Sequence, residues 1–501
     1  MRPALYSGCW QTLHMSELSE QHESRETEVA RVYQQATIPA EEAADPTAPT
    51  FIAALAELIR AKRKLAKCRP KFEEDSDIPQ VHRHSRLTES IVSLYLLQGV
   101  NYIIALAVLP YLVRVLGMEK FGLVAFAQSL AQYFTLFTDY GFNFTATRAI
   151  ARNRDDSEAI SRIFSTVLVV KLILMILGVL VMTLAVAAVP RLREHSIFFL
   201  VAYVAVVGNV LFPTWYFQGT EQMRFISGIV SLARVLGAVA LLLAVHRPSD
   251  ALLALEIQSA SLLFGGILGL GTALRMCAIH FVRPTRREVV SAFVEGWSLF
   301  ISTAAVSLYS NTNVFLVGLL CGNLQAGYFS SVEKLIRSAQ GLIAPFNQAI
   351  FPHVNALAKR SREAALQFNA RVLAWTGTTT LVCSVGLLVA AHTIALVFFG
   401  PAATGTVPVL RWMAFLPFLI AVSSVLGSQT MVPFGLDRQF SRILIVSGAF
   451  NLCLGMALIH LFAACGAGIS VLATESLVAA SMLLTLQSHK ISIWRFRMSM
   501  A

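Results

Sequence analysis

Twelve apolar stretches of spanning length follow one another between Ser90 and Gln487, and they constrain the fold more than any other feature. A helix needs about 20 consecutive apolar residues to cross a hydrocarbon core about 30 Å thick. The chain is 56% hydrophobic and only 14% charged, whereas soluble domains carry about 25% charged residues. The sequence therefore predicts an all-α membrane protein with twelve transmembrane helices, at residues 90–113, 121–144, 162–189, 197–217, 225–245, 251–273, 297–319, 326–350, 372–398, 408–432, 440–462 and 465–487.

Lys and Arg residues are distributed unevenly between the connecting loops. The loops after even-numbered spans and the C-terminal tail hold eighteen of them, against five in the loops after odd-numbered spans. Because cytoplasmic loops carry the basic excess, both termini are predicted to be cytoplasmic. The outer loops are also short, which leaves little room for an extracytoplasmic catalytic domain.

A weak internal repeat relates the two halves of the chain. Gly117 and Gly122 follow the first span with the same spacing as Gly322 and Gly327 after the seventh, at a displacement of 205 residues. Such spacing is common in membrane loops, so chance is the alternative. A true repeat predicts two parallel six-helix lobes around a central cavity. The expected lobes are residues 90–275 and 297–487, with a cytoplasmic linker at 276–296 and a basic cytoplasmic tail at 488–501.

The polar segment at residues 1–89 is predicted to be a disordered cytoplasmic extension. It holds 12 Lys or Arg and 14 Asp or Glu, so the basic excess of the chain belongs to the membrane region. Two alternatives are a basic amphipathic helix at Phe51–Lys67 lying on an anionic membrane surface, and a translation start assigned too early.

The eighth span carries Glu333, Lys334 and Arg337, where a bilayer should tolerate few charges. One ionisable residue at the centre of a membrane helix costs about 2.5–3.5 kcal/mol on insertion scales. Helical geometry places Glu333, Arg337 and Gln340 on one face, with Lys334 about 100° away. The pattern favours a water-filled substrate cavity, although an ion pair between Glu333 and Arg337 that only fixes packing is the alternative.

Other polar residues in the spans extend the predicted site. Basic groups would hold phosphate or uronate, hydroxyls and amides suit sugars or helix contacts, and carboxylates could couple transport to protons or sodium. Asp139 and Glu256 lie towards span ends, where an interfacial position is the alternative. The substrate-cavity candidates are Lys334, Arg337, Lys171, Arg234, Gln340, Tyr309 and Asn313, and the coupling candidates are Glu333, Glu475, Glu256 and Asp139.

Motifs for other chemistry do not occur in the sequence. The seven cysteines are scattered without ligand spacing, so we expect no metal, disulfide or cofactor. There is also no phosphate-binding Gly-x4-Gly-Lys-Ser/Thr segment, nucleophile elbow or His-Glu-x-x-His helix. The expected protein is a transporter rather than an enzyme, and no nucleic-acid partner is expected.

Several segments, in order, resemble Wzx-type O-antigen and polysaccharide flippases between residue 88 and about residue 487. They are Leu94-Tyr-Leu-Leu-Gln-Gly-Val-Asn-Tyr-Ile-Ile, Leu109-Pro-Tyr-Leu-Val-Arg-Val-Leu-Gly-Met-Glu-Lys-Phe-Gly122, Thr138-Asp-Tyr-Gly-Phe-Asn-Phe-Thr-Ala-Thr-Arg148, Phe212-Pro-Thr-Trp-Tyr-Phe-Gln-Gly-Thr-Glu221, Leu308-Tyr-Ser-Asn-Thr-Asn313, Gly327-Tyr-Phe-Ser-Ser-Val-Glu-Lys-Leu-Ile-Arg337 and Val432-Pro-Phe-Gly435. The long N-terminal extension departs from the family pattern.

The resemblance implies that a polyprenyl-diphosphate-linked oligosaccharide moves from the cytoplasmic to the outer leaflet by alternating access, driven by an ion gradient. It also implies a bacterial inner-membrane location, a polysaccharide polymerase and chain-length regulator as partners, and a cationic cavity. Glu256, Glu333 and Glu475 nearly balance the four cavity bases, which weakens that last expectation. Contacts at the cytoplasmic entrance are expected from Arg148, Arg152, Arg283, Arg286 and Arg287.

Three alternatives remain at this point, and one of them is a scaffold protein without transport activity. A cation-coupled multidrug exporter of the same superfamily would need a buried acid for a cationic drug, and the first span contains no carboxylate. A membrane-embedded polysaccharide polymerase or acyltransferase would be expected to show a large outer loop or a histidine-containing catalytic motif. The sequence shows neither feature.

Overall fold

The computed structural model describes residues 81–276, 279–341 and 344–491, and the regular elements in these ranges are all helical. The first half contains α1 (Val81–Asp139), α2 (Phe142–Arg152), α3 (Ser157–Ala188), α4 (Pro190–Arg193), α5 (Ser196–Leu211), α6 (Thr214–Gly219), α7 (Met223–Ala244) and α8 (Ala251–Met276). The second half contains α9 (Arg286–Cys321), α10 (Asn323–Gly341), α11 (Ala344–Arg360), α12 (Arg362–Val389), α13 (Ala391–Phe399), α14 (Thr406–Met413), α15 (Leu416–Leu426) and α16 (Asp437–Ser488).

The helices agree with an all-α membrane fold. In the described ranges, seven helical segments are individually long and apolar enough to cross a membrane. Helices α1 and α16 each contain two predicted spans. A sharp bend separates the two spans, at Gly117 (φ 74°) in α1 and at Ala463 (φ 50°) in α16. This arrangement is consistent with the twelve spans predicted from hydropathy.

Two helices begin within segments that hydropathy assigns to regions outside the spans. Residues 81–89 are already helical within α1, whereas residues 1–80, including the amphipathic segment at 51–67, lie outside the described residues. Helix α9 begins at Arg286, so most of the predicted linker at 276–296 is helix. The cause is a capping box, in which the Thr285 hydroxyl accepts from the Glu288 N–H at 3.3 Å and the Glu288 carboxylate accepts from the Thr285 N–H at 2.6 Å. Hydropathy detects only the apolar part of such a helix.

Helix α3 illustrates how a span separates its lipid-facing and packed sides. Ile176, Leu180 and Leu184 recur every four residues and are 56–66% exposed. The opposite face carries Leu174 and Met182, which are buried against the rest of the protein. Because both faces are apolar, burial rather than polarity distinguishes them, as expected for a helix surrounded by lipid.

The repeated glycines have the same backbone conformation in both halves. Gly117 has φ 74° and ψ 161°, and Gly322 has φ 93° and ψ 175°. This left-handed region is costly for residues with a Cβ atom, so glycine allows the sharp reversal of direction after the first and seventh spans. We call the end of the helix bundle that contains these two reversals the hairpin end.

The second glycine of each pair lies where the two halves cross. A Cβ atom on Gly122 would lie 1.8 Å from the Asn323 carbonyl oxygen, and one on Gly327 would lie 2.1 Å from the Met118 carbonyl oxygen. Backbones therefore touch directly between the second part of α1 and α10, as small residues permit in membrane helices. The crossing joins the halves just below the hairpin end.

Two arginines add hydrogen bonds between the halves at the same end. Arg191 donates to the Leu319 carbonyl at 2.7 Å, and Arg114 donates to the Val397 carbonyl. A large apolar cluster around Phe126, Val317 and Phe329 also contains residues from both halves. The hairpin end is consequently closed in this structure.

Candidate functional site

The charges on α10 divide into a pair and a separate lysine. Arg337 donates to one Glu333 oxygen from Nη2 at 2.8 Å and from Nε at 3.1 Å. This is the i,i+4 ion pair that the sequence pattern allows as the alternative to a substrate cavity. The Glu333 side chain is 16% exposed and that of Arg337 is 49% exposed, so the guanidinium extends into the more open surroundings.

Lys334 points across the crossing towards the first half of the molecule. Its ammonium donates to Gln128 Oε1 at 3.2 Å and lies 5.2 Å from the centre of the Phe121 ring. Gln128 in turn donates to Gln258 Oε1 of α8 at 3.0 Å. The hydrogen bond from the Lys334 ammonium is therefore accepted by a neutral amide on α1 rather than by a carboxylate. A second amide hydrogen bond connects this group to α8.

These residues border a cavity of about 420 Å³ between α1, α7, α8 and α10. Among the described residues, the charged side chains in its lining are all basic, and Glu333 lies outside the lining although it pairs with Arg337. Guanidinium and ammonium groups together bind phosphate oxygens through charge-assisted hydrogen bonds. We call it the cationic cavity; its polar and charged lining consists of Arg234, Gln258, Ser261, Lys334, Arg337 and Ser338.

Lys171 lies apart from the cationic cavity, contrary to the grouping expected from the sequence. Its side chain is 2% exposed, and its ammonium donates to Asp139 Oδ1 at 3.0 Å. Asn209 of α5 donates to the same oxygen at 2.9 Å. A buried ammonium needs a counter-charge, and Asp139 at the end of α1 supplies it.

A polar stripe follows the second part of α1. Its members, Gln128, Gln132, Thr135 and Asp139, lie within an arc of about 60° at 100° per residue, and none of them is fully buried. Their spacing of four, three and four residues could have been recognised in the sequence. The sequence interpretation instead concentrated on charged residues and missed Gln132 and the connecting amides Gln258 and Asn209.

A second, smaller cavity of about 160 Å³ adjoins the lower part of this stripe. Helix α1 contributes Gln132, Tyr133 and Asp139, the start of α2 contributes Asn143, and α9 of the second half contributes Thr303. The first and second halves of the chain thus meet at this cavity too.

The second half contains a buried polar cluster around Asn313. Asn313 donates to Asn451 Oδ1 at 3.3 Å, and Asn451 donates to the Thr474 hydroxyl at 3.0 Å. The side-chain oxygen of Asn313 is buried and has no hydrogen-bond partner among the described residues. Glu475, which follows Thr474 on α16, is 8% exposed. The cluster lies on α9 and α16, and its residues are not among the described lining of the two cavities.

The remaining predicted residues occupy varied positions. Glu256 is exposed on α8 and Gln340 is half-buried near the end of α10. Tyr309 belongs to α9, but its side chain is not among those described. The five arginines expected at the cytoplasmic entrance are all exposed, on α2, on the segment before α9 and at the start of α9: Arg148, Arg152, Arg283, Arg286 and Arg287.

Solved structures with the same fold are transporters. The chain resembles a lipid II flippase MurJ in an inward closed conformation, with a TM-score of 0.63 and 13% identity over 79% of this chain and 87% of that one. It also resembles an inward-facing multidrug resistance MATE family transporter of the MOP superfamily, with a TM-score of 0.57 and 15% identity over 82% of this chain and 99% of that one. At this identity the likeness concerns the fold.

Sequence comparison goes further. A putative O-antigen transporter of Escherichia coli (strain K12) is 33% identical over 81% of this chain and 98% of its own length. A putative O-antigen transporter of Shigella dysenteriae is 30% identical over 79% of this chain and 99% of its own length. The family model described as polysaccharide biosynthesis protein matches residues 87–358. The chain therefore belongs to the polysaccharide biosynthesis protein family of multi-pass membrane proteins, the Wzx-type flippase family that its sequence motifs resemble.

Proposed function

We propose that this protein flips polyprenyl-diphosphate-linked oligosaccharide repeat units, of O antigen or another surface polysaccharide, across the bacterial inner membrane. The single observation that carries the proposal is the cationic cavity, whose described lining contains Arg234, Lys334 and Arg337, while the Glu333 carboxylate pairs with Arg337 from outside that lining. The diphosphate carries the charge of such a cargo, so it is the part that most needs basic side chains beside it inside a membrane. No covalent bond needs to be made or broken.

The path begins at the cytoplasmic side, where exposed arginines such as Arg148 and Arg286 attract the diphosphate head. The head then reaches the cationic cavity while the polyprenyl tail stays in lipid. Avoiding the transfer of sugar hydroxyls through hydrocarbon is the energetic task, because each unsatisfied polar group there costs several kcal/mol. The distribution of Lys and Arg between the loops predicts that the hairpin end faces the outer side of the membrane. A structure closed at this end therefore corresponds to the state that takes up cargo from the cytoplasmic side.

Release on the outer side requires the hairpin end to open. The glycine crossing at Gly122 and Gly327, and the arginine hydrogen bonds of Arg114 and Arg191, must then separate or rotate. Coupling to an ion gradient would drive this change. Among the candidate carboxylates we favour Glu475, because it is buried beside the polar cluster of Asn313 and Asn451, where a change in charge would alter packing inside the second half.

Complementation tests the proposal. A strain that lacks its own repeat-unit flippase and makes a defined surface glycan should regain that glycan when it expresses this protein. The Lys334→Ala and Arg337→Ala variants should restore much less of the glycan, whereas Lys120→Ala, which removes a charge from an exposed position, should behave like the wild type. Full rescue by both cavity variants at normal expression would contradict the proposed role of the cavity.

The same strain tests the wider expectations. Glu475→Gln should reduce glycan export without reducing the amount of protein in the membrane, if its charge couples transport to an ion. Association with a polysaccharide polymerase and a chain-length regulator predicts that these proteins copurify with it from cross-linked membranes. Unaltered export by Glu475→Gln would assign coupling to another carboxylate.

A further inference from the structure

The small cavity has a lining unlike that of the cationic cavity. Gln132, Asn143 and Thr303 offer both hydrogen-bond donors and acceptors, and Tyr133 adds an aromatic ring. Among the described residues of its lining, Asp139 is the one that carries a charge. At about 160 Å³ the cavity is smaller than pockets for drug-sized ligands, which measure about 300–1,000 Å³.

The charge of Asp139 is already compensated and its carboxylate is held in place. Lys171 donates to Oδ1 at 3.0 Å, and Asn209 donates to the same atom at 2.9 Å. The side chain of Asp139 is still 25% exposed, so part of the carboxylate remains accessible at the cavity. A fixed acceptor in a pair without net charge suits a hydroxyl donor better than an anion.

A pyranose ring matches this lining. Its hydroxyls donate and accept hydrogen bonds, as the amides, the threonine hydroxyl and the fixed carboxylate require, and its apolar face can pack on an aromatic ring. A diphosphate does not match it, because the described part of the lining offers a carboxylate and no basic side chain. An apolar drug would leave several polar groups without partners.

Hydrogen bonds of Gln128 on α1 relate the small cavity to the cationic cavity. Gln128 hydrogen-bonds to Lys334 and to Gln258 at the cationic cavity. Gln132 of the small cavity follows one helical turn later, about 6 Å along the helix axis. The small cavity therefore begins one helical turn from the amide that Lys334 contacts, and a sugar joined directly to a diphosphate at Lys334 would extend towards it.

We infer that the small cavity is a subsite for the sugar residue attached to the diphosphate, formed by Gln132, Asp139 and Asn143 of the first half and Thr303 of the second. This inference rests on the proposed function and adds a site that recognises hydroxyls. It assigns Asp139 to hydrogen bonding with the cargo rather than to ion coupling, and Lys171 to positioning its carboxylate.

Binding measurements on the purified protein in lipid nanodiscs test the subsite with two probes. One is polyprenyl diphosphate, and the other is the same lipid carrying a single sugar. The wild type should bind the glycosylated probe more tightly. Gln132→Ala should reduce that preference about fivefold, as expected for one lost hydrogen bond, while leaving the affinity for the bare diphosphate unchanged. Gln487→Ala, which removes an exposed amide of the same type, should change neither affinity.

A paired variant, Asp139→Leu with Lys171→Met, removes the acceptor together with its counter-charge and should abolish the preference for the sugar. Equal affinities of the wild type for the two probes would overturn the subsite and leave the diphosphate site standing. Equal losses for both probes in Gln132→Ala would also overturn it. If the wild type bound neither probe, the proposed function would fail and the subsite with it.

Discussion

The second part of α1 and helix α10 occupy repeated positions but present different chemistry. A displacement of 205 residues relates Gln128 to Glu333, Gln132 to Arg337 and Thr135 to Gln340. Both segments follow a glycine with positive φ, and both place a second glycine at the crossing. The backbone has been conserved between the halves of this molecule, whereas amides on one helix correspond to charges on the other.

This difference suggests a division of labour. The side chains of α10 bring cations to the cationic cavity, and the stripe of α1 brings hydroxyl-binding groups to the small cavity. The two sets meet where Lys334 donates to Gln128. The proposed cargo is asymmetric too, with an anionic diphosphate that suits the cations of α10 and a sugar that suits the amides of α1. Two helices with the same side chains would fit such a cargo poorly.

The largest expected effect comes from breaking the crossing that both helices share. Gly122→Ala places a Cβ atom 1.8 Å from a carbonyl oxygen of the other half, and backbone atoms cannot rotate away as a side chain would. The free energy of unfolding should fall by at least about 1–3 kcal/mol. Thermal unfolding of the detergent-purified protein measures the loss, and glycan export in cells should fall with it.

Gly228→Ala provides the matched control for this variant. Gly228 lies in α7, and a Cβ atom there would meet no atom of the described residues within 4 Å. The substitution should leave the unfolding temperature unchanged or slightly higher, because alanine favours the helix. If Gly122→Ala proved as stable as Gly228→Ala, the direct contact between the halves would be refuted.

The next effect comes from removing the cation that links the two helices. Lys334→Gln should weaken binding of polyprenyl diphosphate about tenfold or more, because a charge-assisted hydrogen bond contributes about 1.5–3 kcal/mol. Titration of the protein in nanodiscs with that lipid measures the change. An affinity within twofold of the wild type would place the diphosphate elsewhere.

A smaller effect of opposite sign is expected from Glu333→Gln. The substitution removes the carboxylate that Arg337 contacts at 2.8 Å, so the guanidinium can interact more strongly with an anion. Affinity for polyprenyl diphosphate should rise by up to about fivefold. Glu119→Gln, at an exposed position near Gly117, controls for the change in net charge. A loss of affinity in Glu333→Gln would indicate that the pair mainly orients Arg337.

The smallest effect concerns the connection between the halves. Hydrogen bonds from the backbone N–H and hydroxyl of Thr285 lower the pKa of Glu288. The charged Glu288 therefore stabilises the start of α9 at pH values above the ordinary pKa of a glutamate. The contribution is lost as the pH falls through the lowered folded value. Thr285→Ala should cost about 1 kcal/mol at neutral pH and less in acid, measured by thermal unfolding at several pH values. An equal cost at every pH would contradict this capping role.

Much of the fold follows from the sequence, since apolar length and the placement of Lys and Arg depend on local composition. Contacts between spans do not. The pairing of Lys171 with Asp139 joins residues on different helices, and the contact of Lys334 with Gln128 depends on how closely the glycines let two backbones approach. The stripe of Gln128, Gln132, Thr135 and Asp139 was readable from its helical spacing, as was the capping box at Thr285.

Transfer between leaflets in proteoliposomes tests the central claim most directly. A fluorescent polyprenyl-diphosphate-linked oligosaccharide is placed in the membrane, and a membrane-impermeant reductant that quenches the dye reports the fraction in the outer leaflet over time. The wild type and the exposed-charge control Lys120→Gln should move the lipid at equal rates, and Lys334→Gln at least about tenfold more slowly. Equal rates for all three proteins, or no transfer by the wild type, would contradict the assignment of the cationic cavity to the diphosphate cargo.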